Sequence, residues 1–145
     1  MPSTFNMSDT IDCALEKGLP LFGVCLGLQG IVEYFGGTLQ ELPYPMHGKP
    51  SRVEHCGSKL FENINSSFIA GRYHSLAADA VPECLAVTAR TEEGMVMAVE
   101  HATLPIYGVQ FHPESIMTLA DKAGHQLTVN VVNQVLDFNH QNVKA

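Results

Sequence analysis

The sequence has few basic residues, and its cysteines are not spaced in pairs. Lysine and arginine number 8 against 15 aspartates and glutamates, which gives a formal net charge of −7, and the basic residues form no cluster. Nucleic acids and anionic membranes require a concentrated positive surface, so we expect neither as a partner. The four cysteines are irregularly spaced without a CxxC pair, and the start shows no apolar signal segment. A reducing, cytoplasmic location is therefore expected.

Repeats, low-complexity tracts and interdomain linkers are also missing from the 145 residues. A chain of this length buries roughly two-thirds of its unfolded surface, which is enough for one core. We therefore expect residues 1–145 to form a single domain.

Hydrophobic spacing predicts helices at both ends and extended segments between them. Ile11, Ala14 and Leu15 share one face of a first helix, which Asn6 or Ser8 caps and Gly18 ends. The final helix places Leu127, Val131, Val135 and Phe138 on one side. Extended segments are predicted at Ser51–Cys56, Phe68–Leu76, Leu85–Ala89 and Met95–Glu100.

Cys25 lies where an apolar strand turns into a helix. Leu19–Val24 is typical of a buried parallel strand, and helically spaced apolar residues follow until Gly36-Gly37. A cysteine at a helix N-terminus is favoured as a thiolate, and Gly23 and Gly27 permit a tight turn without Cβ clashes. The alternative is that Cys25 is a small buried hydrophobic residue, the usual role of a free cysteine.

A second segment favours the nucleophile. The apolar run Leu104–Phe111 leads into His112 and Glu114, and residues two apart in an extended chain face the same way. Pro113 disfavours a helical conformation at His112, so the carboxylate is placed to accept the imidazole N–H. A cysteine, a base and an acid that orients the base form a catalytic triad.

Three motifs carry a resemblance to a known family. GVCLGLQ from Gly23, RYHSL from Arg72 and GVQFHPES from Gly108 resemble the class I, triad-type glutamine amidotransferases. The strings PMHGK from Pro45 and SIMT from Ser115 are similar to the glutaminase component of anthranilate synthase and its aminobenzoate-forming relatives. IVEYFGG from Ile31 and GKPSR from Gly48 most resemble versions fused to a chorismate-converting domain.

The resemblance implies an α/β, flavodoxin-like fold with three layers: a mostly parallel central sheet, flanking helices and a β-rich edge. It implies a glutaminase in which Cys25 attacks the glutamine amide, His112 is acid and base, and Glu114 orients His112. The family's substrate pocket maps onto Leu26, whose N–H holds the oxyanion, and onto Gly27, Gln29, Ser75 and Leu76. No cofactor is implied. The resemblance also implies that ammonia passes to a chorismate-converting synthase, fused or separate, for anthranilate and hence tryptophan synthesis.

The resemblance covers Pro2 to about Phe138, whereas family members begin with further strands and an oxyanion-binding glycine loop. We therefore expect the chain to be truncated at its N-terminus and feebly active. The alternatives are the glutaminase of para-aminobenzoate synthase, a catalytically crippled docking or regulatory fragment, and a cysteine peptidase or other amide hydrolase.

Three further patterns are weak. Gly23, Gly27 and Gly30 lack the GxGxxG spacing of dinucleotide sites. His55-Cys56, with His47 or His74, lack paired zinc-ligand spacing, so no metal is expected. No GxSxG motif surrounds Ser75, which argues against a serine hydrolase.

Overall fold

The computed structural model describes residues 7–44, 46, 48–114 and 122–144. The helices are α1 (Met7–Lys17), α2 (Leu26–Tyr34) and α3 (Ala123–Lys144). The strands are β1 (Leu21–Val24), β2 (Leu39–Glu41), β3 (Lys49–His55), β4 (Ser67–Arg72), β5 (Leu76–Ala78), β6 (Leu85–Thr91), β7 (Val96–His101) and β8 (Ile106–Val109). A short 3₁₀ segment covers Lys59–Phe61.

A six-stranded sheet in the order β1-β8-β7-β6-β3-β4 forms the centre, and β2 pairs with β5 beside it. The α/β fold and its β-rich edge are confirmed, but the expectation of a mostly parallel sheet is wrong for the described residues. There only β1 and β8 pair in parallel. The reason is the length of the connections: segments 92–95 and 102–105 are too short for the crossover that parallel neighbours need.

Strand alternation supplies apolar side chains to both faces of the sheet. On one face, Phe22 and Val109 belong to a cluster completed by Leu127 of α3. On the other, Leu21 and Ile106 pack in a cluster with residues of α1 and α2. The three-layer arrangement is therefore confirmed, with a helix layer on each side of the sheet.

The sheet also curls. The backbone N–H of His112, just beyond β8, donates to the carbonyl of Gly71 in β4 at 3.3 Å. Since β4 is the last strand in the order, this bond brings the sheet's far edge back to the end of β8. The segments that follow β1, β4 and β8 consequently meet at one place.

Several element boundaries differ from the sequence-based expectation. Ser8 lies inside α1 and does not cap it, while Asn6 lies outside the described residues. The extended segment expected at Phe68–Leu76 is two strands, β4 and β5. Strand β2 was not predicted, because only Leu39 of its three residues is even partly buried. The side chain of Phe138 also lies outside what the structure describes.

Within the described ranges, none of the helices is long and apolar enough to cross a membrane.

Candidate active site

Cys25 occupies a strained backbone position between β1 and α2. Its φ of 57° and ψ of −101° lie in a region that residues with a Cβ rarely adopt. Backbone bonds on both sides hold it: the Cys25 N–H donates to Val109 O at 2.8 Å, and the Gln29 N–H donates to Cys25 O at 3.3 Å. The predicted sharp strand-to-helix turn at Cys25 is confirmed.

The absence of a side chain at Gly23 permits this turn. A Cβ at Gly23 would lie 2.7 Å from the backbone carbonyl carbon of Gly27, and one at Gly108 would lie 3.1 Å from Leu28 Cα. Helix α2 therefore passes directly over two glycines of adjacent strands. The expected steric role of Gly27 was wrong, because a Cβ there would have no atom within 4 Å.

The half-buried thiol of Cys25 is held between a donor and an acceptor. Its Sγ donates to Tyr73 O at 3.7 Å and accepts from Gln110 Nε2 at 3.6 Å. Burial raises the pKa of Cys25, and the nearby Glu114 charge raises it further, whereas the Leu26 N–H and the Gln110 amide lower it. The N–H at the start of α2 therefore favours the thiolate, as expected, but loss of hydration outweighs it, so the net shift of the pKa favours the thiol.

His112 and Glu114 form the expected pair. Nδ1 of the imidazole lies 3.0 Å from Oε2 of Glu114, and Pro113 between them is buried. An ionised carboxylate can only accept, so Nδ1 carries the hydrogen and Nε2 keeps a lone pair. This is the tautomer that a general base requires.

The parallel pairing of β1 with β8 brings the three predicted catalytic residues into one neighbourhood. Val24 pairs with Val109, so the residues that follow both strands emerge side by side. Tyr73, just after β4, joins the two halves of the site. Its carbonyl accepts from the Cys25 thiol, and its ring meets the His112 ring edge-on with centroids 5.4 Å apart.

A cavity of about 290 Å³ opens beside the thiol. This is the small end of the range for ligand sites, so it suits a compact ligand. Its walls include four of the five predicted substrate-binding residues, and Gly27 is not among them. The lining residues are Cys25, Leu26, Gln29, Met46, Tyr73, His74, Ser75 and Leu76.

A buried polar network that sequence reasoning missed supports this pocket. Gln29 and Gln110, both almost fully buried, are joined by a 3.2 Å bond from Gln29 Nε2 to Gln110 Oε1. His74 accepts from Arg72 Nε at 3.0 Å and lies 2.8 Å from the carbonyl of Leu76. The signal was present in the sequence, since Gln110, Arg72 and His74 belong to the motifs that contain His112 and Ser75.

The structure describes no group of three metal-binding side chains in residues 7–44, 46, 48–114 and 122–144. His55 instead contacts the backbone carbonyls of Ile64 and Asn65. Pro45, His47 and the segment 115–118, which carried part of the resemblance, lie outside the described residues.

Comparisons with known proteins identify relatives of this chain. A family model described as glutamine amidotransferase class-I matches residues 2–132. The chain is 53% identical over 136 residues to an anthranilate synthase of Azospirillum brasilense, covering 92% of this chain and 19% of that protein. It is 48% identical over 125 residues to anthranilate synthase component 2 of the same organism, covering 85% of this chain and 62% of the relative.

A third relative, aminodeoxychorismate/anthranilate synthase component 2 of Bacillus subtilis, is 52% identical over 102 residues, 69% of this chain and 53% of its own length. The chain thus spans less than two-thirds of each of these relatives.

Solved structures share the fold. A Thermoplasma acidophilum protein described as a putative GMP synthase subunit superimposes with a TM-score of 0.78 at 22% identity, over 94% of this chain and 70% of that one. A glutamine amidotransferase of Thermotoga maritima gives 0.66 at 17% identity, over 90% and 61%. With the family model covering most of its length, the chain belongs to the class-I glutamine amidotransferase family.

Proposed function

We propose that this chain is a glutaminase that hydrolyses the side-chain amide of glutamine through a thioester on Cys25. The observation that carries the proposal is the thiol at a strained strand-to-helix turn, on the wall of a small cavity, in the same neighbourhood as the His112–Glu114 pair. A nucleophile, a base and a group that orients the base are the elements of covalent amide hydrolysis.

The first half-reaction forms the thioester. As Cys25 Sγ bonds to the amide carbon, its proton passes to Nε2 of His112, and the Leu26 N–H stabilises the oxyanion. The C–N bond then breaks, and the imidazolium protonates the departing ammonia. Glu114 holds the imidazole in the correct tautomer and stabilises its charged form.

The second half-reaction releases glutamate. His112 removes a proton from water, the hydroxide attacks the thioester carbon, and the C–S bond breaks. The sulfur recovers the proton from the imidazolium, which returns the site to its starting state. One imidazole therefore accepts and donates a proton in each half.

The pocket wall fits the amino-acid end of glutamine. Oε1 of Gln29 is buried and has no hydrogen-bond partner within the described part of the chain. A buried acceptor left unpaired is costly, so a small shift of the Gln29 side chain that brings Oε1 to a substrate ammonium in the cavity would gain binding energy. We assign this role to Gln29, with Ser75 and Leu76 completing the wall.

We assign the use of the released ammonia to a partner synthase. Relatives named anthranilate synthase, in one case far longer than this chain, support a chorismate-converting synthase, fused or separate. We propose anthranilate, and hence tryptophan, synthesis as the destination. Para-aminobenzoate is the second candidate, because the Bacillus subtilis relative is named for both products. A reducing, cytoplasmic location suits this chemistry, since a nucleophilic thiol must stay reduced and all four cysteines are free.

The test compares Cys25→Ala with Cys84→Ala, a control at a cysteine of similar partial burial. We expect wild type and the control to form glutamate from glutamine and to be labelled by a glutamine-analogue alkylator, with glutamine protecting. The Cys25 variant should do neither. Glutamate production by Cys25→Ala near the wild-type rate, or alkylator labelling of wild type at another residue only, would refute the proposal.

A further inference from the structure

The amide of Gln110 lies against the nucleophile, and the chemistry proposed above gives it no part. Gln110 follows β8, is fully buried, and donates from Nε2 to the Cys25 sulfur at 3.6 Å. Its other end, Oε1, accepts from Nε2 of Gln29 at 3.2 Å. Gln29 and Gln110, here called the glutamine pair, thus connect the pocket wall to the thiol.

The orientation of both amides is fixed by a backbone carbonyl. Leu76 O can only accept, and it receives the second N–H of Gln29 at 3.0 Å. With both of its donors used, Gln29 must meet the acceptor end of Gln110. If the amide of Gln110 were flipped, its NH₂ group would face the NH₂ group of Gln29. If the amide of Gln29 were flipped, its oxygen would face two acceptors, Gln110 Oε1 and Leu76 O. The NH₂ group of Gln110 is therefore directed at the sulfur.

A donor in this position acts differently on the two forms of the sulfur. A thiolate accepts a hydrogen bond far more strongly than a thiol does, so a fixed amide N–H stabilises the reactive form. The same sulfur also contacts the carbonyl of Tyr73, which receives the thiol hydrogen. The Gln110 amide thus stabilises the anionic form of the sulfur, whereas the Tyr73 carbonyl stabilises the thiol form.

We propose that Gln110 is a positioning residue that orients the Cys25 sulfur and supports its thiolate, and that Gln29 locks Gln110 in the required orientation. The inference deepens the proposed function and rests on Cys25 being the nucleophile. It gives Gln29 a second role, separate from lining the pocket, that operates without substrate.

The test measures the alkylation rate of Cys25 by iodoacetamide as a function of pH, followed by mass spectrometry of the peptide that contains it. Gln110→Leu removes the donor with little change in size. We expect alkylation near neutral pH to fall about tenfold, which equals an upward shift of one pKa unit. Gln134→Leu is the control, because Gln134 is partly buried and bonded to Tyr107 but lies on α3. It should leave the Cys25 profile unchanged.

The locking role is tested by a double-mutant cycle. Gln29→Leu should also slow alkylation, by a few fold, but should add nothing in the Gln110→Leu background. The double variant also guards against misfolding, because replacing both partners of a buried bond by apolar groups is nearly neutral for stability. If Gln110→Leu alone fails to fold, the double variant should still show the full tenfold loss.

A Cys25 profile within twofold of wild type in the folded Gln110→Leu or double variant would overturn the proposal, and additive effects of the two substitutions would overturn the locking role. Because iodoacetamide alkylation uses no glutamine, these outcomes are separate from the glutaminase assay. An altered alkylation profile in a protein without glutamine turnover would refute the proposed function and leave the positioning role standing.

Discussion

His74 is a buried imidazole whose protonation state is fixed by its partners. The Arg72 guanidinium always carries its hydrogens, so the 3.0 Å bond from Arg72 Nε requires Nε2 of His74 to accept. The hydrogen is then on Nδ1, which donates to Leu76 O at 2.8 Å. Burial lowers the pKa of His74 from 6.5 to about 4; the Leu76 bond opposes this and the Arg72 charge adds to it.

This depressed pKa predicts a loss of stability in mild acid. As the pH falls from 6.5 to about 4, the unfolded chain takes up a proton at this histidine and the folded chain does not. The unfolded state is therefore favoured progressively across that window. At about 1.4 kcal/mol per pKa unit, the full effect is about 3 kcal/mol, a large part of the 5–15 kcal/mol that stabilises a typical domain.

The variant that isolates the effect is His74→Gln, whose amide can accept from Arg72 and donate to Leu76 but does not titrate. Urea unfolding at a series of pH values should show wild type losing about 3 kcal/mol more than the variant between neutral pH and pH 4. His125→Gln, an exposed position on α3, serves as control and should follow wild type. Unfolding free energies of wild type and His74→Gln that run parallel within about 0.5 kcal/mol would refute the reasoning.

Two further predictions concern the turn and the base. Gly23→Ala should destabilise the fold by roughly 1–3 kcal/mol in urea titrations, because the new Cβ would lie 2.7 Å from backbone of Gly27; an unchanged midpoint would contradict this. His112→Ala should slow glutamine hydrolysis on the order of 10²–10⁴, since it removes the acid–base group. Glu114→Gln should cost less, because it only weakens the orientation of the imidazole. Measured rates in the reverse order would exclude this division of roles.

The parts of the site that the sequence predicted are those encoded by neighbouring residues. A short apolar strand followed at once by a helical pattern placed Cys25 at the turn, and the spacing of His112 and Glu114 predicted their bond. Each of these inferences needs only the local backbone conformation. The helices α1 and α2 were predicted for the same reason, since their apolar faces are read within a few turns of chain.

The parts that the sequence did not predict depend on which distant segments pack together. The pKa of Cys25 reflects burial by the surrounding fold, which outweighs the local donors at the start of α2. The bond between Gln29 and Gln110 spans 81 positions and follows from the pairing of β1 with β8. The burial of Arg72 also shows no periodic pattern, because one of its partners, Ser51, lies 21 positions away on the neighbouring strand β3.

The raised pKa of Cys25 has a consequence for the proposed chemistry. A resting site that holds a thiol must generate the thiolate while the substrate is bound, so a base has to take the proton at that moment. The His112–Glu114 pair supplies a base already in the right tautomer, and the Gln110 amide is placed to stabilise the sulfur once the proton has left. Oxidation and adventitious alkylation both follow thiolate character, so the same burial protects the nucleophile while the pocket is empty. Under the proposed function, protection at rest and reactivity on binding would both arise from one arrangement, in which desolvation keeps the proton on the sulfur and fixed hydrogen-bond donors lower the cost of removing it.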